Sequence, residues 1–205
     1  MVSSSDGISS HGSMQNEGSE KQQELLKRIA RDDHEAFKTV FQEYYPQLCR
    51  FAQRFVKSDD IVRELVQNVF EKLWQGRYER KIHTSLKAYL YKGVRNQALD
   101  YLKHQDVVRR WTEESQSIEF TQKWVDEEFH QEELLRTVER AIESLPDRRR
   151  LIFTLHWSEG LTYREIADVL GISIKTVEAQ MGRALKTIRS LLYDYLPVAA
   201  FLSLL

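Results

Sequence analysis

Residues 161–192, LTYREIADVLGISIKTVEAQMGRALKTIRSLL, read as two helices joined by a tight turn. Thr162 and Glu165 have capping-box spacing at the head of the first helix, TYREIADVL. Gly171 follows it and tolerates the left-handed backbone that ends such a helix, and Ser173 can cap the second. Ala167 is small where the two helices would cross, and Ile166, Leu170, Ile172 and Val177 would close a miniature core. The whole is a helix-turn-helix. On its second helix Val177, Met181, Ala184, Leu185 and Ile188 share an inward stripe, which leaves Lys175, Thr176, Ala179, Gln180 and Arg183 outward near the N-terminal half. That end of such a motif enters the major groove. Arg or Lys pairs with guanine edges and Gln with adenine, while Thr176 and Ala179 suit a thymine methyl. Which of them reads a base stays open; Lys186 and Arg189 lie further along, where phosphate contacts are expected.

Upstream, residues 105–132 lose the apolar period and carry a net charge of −5. We read 105–130 as an acidic linker, 131–195 as the helix-turn-helix domain, and 196–205 as an apolar tail too short to span a bilayer. Helical patterning covers 20–104, an N-terminal bundle, preceded by a Ser, Gly and Asn rich lead-in over 1–19 expected to be disordered. Asp33 caps a helix running through Phe41, and Pro46 is expected to restart the next one. Ser58 is placed to cap a helix over IVRELVQNVFEKLW, whose apolar residues Ile61, Leu65, Val69, Val62, Leu73, Val66, Phe70 and Trp74 cover about 220° of its circumference. Such a helix is either central and buried on two sides or meets a partner along one edge. Its polar remainder is Glu64, Gln67, Asn68 and Glu71.

Residues 76–104 have a net charge of +5 in a chain of net −1. On the helix after Thr84, Leu86, Leu90, Val94 and Tyr101 form an apolar stripe. Lys87, Tyr91, Arg95, Lys92 and Lys103 lie on the other side, bordered by Asn96. Basic groups interleaved with an aromatic ring suit nucleic acid, since cations neutralise phosphates and Tyr stacks on an unpaired base. A solvated basic face is the alternative.

Composition narrows the class. The chain has 205 residues, 41% of them hydrophobic and 30% charged, so one or two soluble units are expected. Three Pro and eight Gly are too few for an all-β fold, and the expectation is all-α: two small helical domains on an extended acidic linker. Cys49 is the sole cysteine, which excludes an intrachain disulfide framework and fits a reducing compartment, and its place in an apolar run suggests an inert thiol. No apolar stretch could insert into a membrane and no signal pattern opens the chain, so a cytoplasmic address is expected. No Gly-rich phosphate loop ends in Lys-Ser or Lys-Thr. His11, His34, His83, His104, His130 and His156 show no ligand-like pairing, so neither an enzyme, a metal nor a cofactor is expected.

EAFKTVFQEYYPQLCRFAQRFV (35–56), ELVQNVFEKLW (64–74), LKAYLYKGVRNQALDYLK (86–103) and ESLPDRRRLIFTLHWSEGLTYREIADVLGISIKTVEAQMGRALKTIR (143–189) together resemble, in order and spacing, the bacterial sigma factors of the extracytoplasmic-function (ECF) type, which carry only sigma regions two and four. The resemblance implies that Glu64, Gln67, Asn68 and Glu71 contact the clamp helices of the β′ subunit of core RNA polymerase and that the second domain meets the β flap. It implies that Arg77, Lys81, Lys87, Tyr91, Lys92, Arg95, Asn96 and Lys103 melt and hold the minus-ten promoter element. Lys175, Thr176, Ala179, Gln180, Arg183 and Lys186 would then engage the minus-thirty-five element. An anti-sigma partner is implied as well. Glu64 stands where Asp is commoner and Gln180 where His or Arg is expected, so no promoter sequence is carried over. Elements two DNA turns apart lie ~70 Å from each other. Residues 105–130 reach ~86 Å extended but only ~39 Å as a helix, so the linker is expected to be mostly extended, threading the polymerase cleft. The competing reading is an autonomous helix-turn-helix regulator whose N-terminal bundle senses a ligand or dimerises.

Overall fold

The structure, a computed structural model, describes residues 22–78, 82, 84–112 and 132–191. The lead-in over 1–19, Lys81, the linker beyond 112 and the tail over 196–205 lie outside the described residues. Among the described residues all regular structure is α-helical, as expected, and the chain divides into two units at Ser115/Gln116.

The first unit holds α1 (22–29), α2 (His34–Ala52), α3 (Asp59–Gln75) and α4 (Leu86–Thr112). Asp33 starts α2 as expected, its carboxylate accepting from the amides of Glu35 and Ala36, both at 3.0 Å. Pro46 does not restart a helix; it sits inside α2. An interior proline forfeits one backbone bond and costs about 3 kcal/mol. Here α2 runs on because Val40, Tyr44, Leu48 and Phe51 are buried on both sides of it, whereas Pro46 faces solvent. Ser58 occupies the N-cap of α3 but its side chain makes no capping bond; Asp59 and Asp60 supply the negative charge at that helix end.

Helices α2, α3 and α4 pack mutually, so α3 is covered by both α2 and α4. Val62, Leu65, Val66, Val69, Phe70 and Leu73 are buried, and an aromatic layer covers the α2 side, with Phe41 4.8 Å from Phe70 and Phe37 5.0 Å from Trp74. On the α4 side the backbone comes close: a Cβ at Gly93 would lie 3.0 Å from Cγ1 of Val69.

Helix α4 corrects two expectations. Its buried residues are Leu86, Ala88, Leu90, Tyr91, Val94 and Ala98, an arc of about 200° rather than a narrow stripe. Tyr91 is therefore core, 1% exposed with its ring 4.9 Å from that of Phe51, and cannot stack on a base. The helix also continues to Thr112, into the stretch read as linker from 105.

The second unit comprises α5 (Glu132–Glu143), α6 (Asp147–Trp157), α7 (Tyr163–Leu170) and α8 (Ile174–Leu191), with α8 packed against the other three. Ile152, Leu155, Leu161, Ile166, Val169, Val177, Met181, Ala184 and Ile188 form its core. Leu170, Ile172 and Leu185, expected inside, are half-buried.

Two stability measurements test this packing. Gly93→Ala should lower stability in urea denaturation by about 1 kcal/mol through overpacking, although alanine favours a helix by about the same amount. In a Val69→Ala background, which removes the obstructing methyls, the same substitution should stabilise. Tyr91→Ala should cost about 3–5 kcal/mol, as truncation of a core aromatic does, and Tyr91→Phe at most about 1 kcal/mol.

Candidate nucleic-acid interface

The helix-turn-helix is built by local chemistry at each joint. Thr162 Oγ1 accepts from the amide of Glu165 at 3.3 Å and the Glu165 carboxylate accepts from the amide of Thr162 at 2.9 Å, a complete capping box. Gly171 ends α7 with φ 60°. Ser173 Oγ accepts from the amide of Thr176 at 3.1 Å at the start of α8. Lys175, Ala179, Arg183 and Lys186 are exposed, and Thr176 and Gln180 are half-buried on the flank. The Thr176 hydroxyl lies 2.8 Å from that of Ser173, so it is already engaged within the cap. What remains is a cationic helix face with a small central residue, Ala179, that lets the backbone approach a groove floor. Ile174, 39% exposed, adds an apolar group at the first turn that periodicity alone did not single out.

In the first unit, two-sided burial of α3 leaves one strip outside. Glu64, Gln67 and Glu71 are exposed along it, Asn68 is half-buried, and Glu71 accepts from Gln75 Nε2 at 2.7 Å. Arg63, paired with Asp60, and Gln75 are exposed on the same flank and Lys72 lies beside it, so the strip is mixed in charge, with carboxylates and an amide at its centre.

The wide buried arc of α4 narrows the expected basic face. Lys92, Asn96 and Lys103 are exposed, whereas Arg95 is half-buried beside them and Lys87 is half-buried on the covered side of the first turn. Lys87 Nζ lies 6.0 Å from the ring of Tyr44, and Lys103 Nζ lies 3.9 Å from Asp100. Arg77 does not present its charge outward as expected. Its guanidinium lies 4.3 Å from the Trp74 ring and 4.2 Å from that of Tyr78, donates to the Trp74 carbonyl at 2.7 Å, and pairs with Asp32 at 2.6 Å. Tyr78 also donates to Asp32, and these two bonds hold the Asp32 carboxyl below its ordinary range. Sequence spacing had no means of joining residues 32 and 77; the available signal was a second aspartate beside the Asp33 cap.

Cys49 is half-buried, and burial pushes its thiol up from the ordinary value, which disfavours the reactive thiolate. Among the described residues no group of three His, Cys, Asp or Glu side chains could hold a metal ion, and no helix is long and apolar enough to cross a membrane.

Comparison with known proteins matches residues 40–107 to sigma-70 region 2 and residues 135–188 to sigma-70 region 4. The chain is 30% identical over 175 residues to the ECF RNA polymerase sigma-E factor of Escherichia coli, across 81% of this chain and 91% of that protein. It is 29% identical over 151 residues to the RNA polymerase sigma factor SigV of Bacillus subtilis, across 74% of this chain and 87% of that one. Two solved structures share its fold. One is the sigma factor RpoE of Bartonella quintana in complex with the anti-sigma factor NepR, with a TM-score of 0.53 and 22% identity over 77% of this chain and 96% of that one. The other is CnrH in complex with the cytosolic domain of CnrY, with a TM-score of 0.52 and 21% identity over 85% and 98%. With both sigma regions present in order and a relative aligned over nearly its full length, the chain belongs to the ECF family of RNA polymerase sigma factors.

Proposed function

We propose that this sigma factor works as a promoter-specificity subunit that makes no chemical change of its own, binding core polymerase through α3 and DNA through α4 and α8. The observation that carries the reading is the pairing, in one chain, of a recognition helix capped by Ser173 with an α3 whose outward flank presents Glu64, Gln67 and Glu71. These three, with Asn68 at their edge, are the residues for the β′ clamp helices, and the second unit is the one for the β flap.

On the DNA side, Lys92, Asn96 and Lys103, with Arg95 beside them and Lys87 at the first turn of α4, face the strands of the minus-ten element. Lys175, Ala179 and Arg183 face base edges in the minus-thirty-five major groove, with Gln180 and Thr176 beside them and Lys186 on the phosphates. The helical residues 105–112 contribute only ~12 Å toward the ~70 Å between the elements, and the next eighteen residues reach ~59 Å when extended. Simultaneous engagement therefore leaves the linker almost no slack. Its acidity disfavours bare DNA and suits the basic walls of a polymerase channel. An anti-sigma protein is a further partner in this reading; the relative RpoE is found in complex with the anti-sigma factor NepR. The site of action is the cytoplasm, where core polymerase is found.

The autonomous-regulator reading lacks an observation in its favour. Two variants test the assignment of faces. Glu64→Ala combined with Gln67→Ala should weaken binding to core polymerase by about tenfold or more in a fluorescence titration while leaving the melting temperature unchanged. Arg183→Ala should reduce promoter-specific run-off transcription by about 10- to 100-fold, the equivalent of one bidentate base contact, with core affinity intact. Unchanged core affinity in the double variant contradicts the α3 assignment, and unchanged promoter selection contradicts the α8 assignment.

A further inference from the structure

The turn between α1 and α2 is a Schellman motif: the amide of Asp33 donates to the Arg28 carbonyl at 3.1 Å and that of Asp32 to the Ile29 carbonyl at 3.0 Å. Asp32 sits at its left-handed position with φ 63°, and among the described residues it is the only non-glycine with positive φ. Glycine takes this place at the least backbone cost, and nothing within the turn itself rewards a side chain there. The reward lies 45 residues further on.

The Asp32 carboxylate receives Arg77 Nε at 2.6 Å on one oxygen and the Tyr78 hydroxyl on the other. Arg77 Nη2 in turn donates to the Tyr78 hydroxyl at 2.9 Å, and the guanidinium is layered between the rings of Trp74 and Tyr78. Behind them the His34 ring lies 4.7 Å from that of Trp74. Tyr78 is thus fixed at its hydroxyl and backed on one face by a cation, while 61% of the residue remains exposed. It is the most exposed large hydrophobic side chain among the described residues. An aromatic held rigidly in water gains nothing for folding from its exposure, and its orientation is settled before any ligand arrives.

We propose that Asp32 is a positioning residue that presets Arg77 and Tyr78 at the exit of α3, so that the tyrosine ring meets the unpaired promoter strand without an ordering cost. The inference rests on the reading above that the first unit handles the melted minus-ten element. It differs from the expectation that Arg77 itself holds the minus-ten element, since Arg77 acts as the spacer of the platform. It also transfers the aromatic role expected of Tyr91 to Tyr78, since base stacking requires an open face.

The test uses the full-length chain with core polymerase on a promoter fragment that the wild-type holoenzyme transcribes, with permanganate reactivity of melted thymines as the readout. The variants are Asp32→Gly, Tyr78→Phe and the two combined. Asp32→Gly removes the carboxylate and also relieves the backbone, so its melting temperature should equal or exceed the wild type. Its permanganate reactivity should nevertheless fall about fivefold, the effect of lost pre-organisation, with core affinity unchanged. Tyr78→Phe, which keeps the ring but not its tether, should show a similar fall, and the double variant should be no worse than Asp32→Gly alone. Wild-type reactivity in Asp32→Gly overturns the proposal. So does a defect accompanied by a lower melting temperature, or one that adds to that of Tyr78→Phe. If the wild-type chain opens no promoter with core polymerase, the underlying functional reading fails, and the proposal falls with it.

Discussion

Burial of α3 on two sides is the constraint on which the first unit depends. Aromatic side chains of α2 cover one flank, and α4 closes on the other at the contact of Gly93 with Val69. A helix held in this way keeps one flank outside, where Glu64, Gln67 and Glu71 are exposed together with Asp60, Arg63 and Gln75. The same packing sets the surface of α4. Because α4 meets both α2 and α3, its buried arc is wide, and Lys92, Asn96 and Lys103 form a narrow exposed line beside Asp100.

The two units differ in how far their sequences disclose them. The helix-turn-helix is specified within a few residues at each joint, by Thr162 with Glu165, by Gly171 and by Ser173, so its motif reading and its structure agree closely. The first unit depends on contacts between distant residues, where a single helix's periodicity is a weaker guide. The apolar face of α4 is wider than its periodicity suggests because Ala88 and Ala98 mark a buried face faintly; counted with Leu86 and Val94, they bring Tyr91 inside. Local propensity opposes Pro46 inside a helix, and tertiary packing of Tyr44 and Leu48 outweighs that propensity. Asp32, Arg77 and Tyr78 carried no joint signal at all, since their meeting is a product of the fold.

Charge is segregated rather than abundant. A net of −1 conceals basic stretches on α4 and α8 and an acidic stretch between them. Each cationic face is small, so by itself each would bind DNA weakly and with strong dependence on salt. Two weak sites become selective when a third body fixes their separation, because the second contact is then made at high effective concentration.

That dependence on polymerase is most directly measured by footprinting the full-length chain on a promoter fragment in the presence and absence of core enzyme. The account predicts no specific protection from the chain alone, and protection of both elements, about two DNA turns apart, once core is added. A specific duplex footprint from the isolated chain, unaltered by core polymerase, would contradict it.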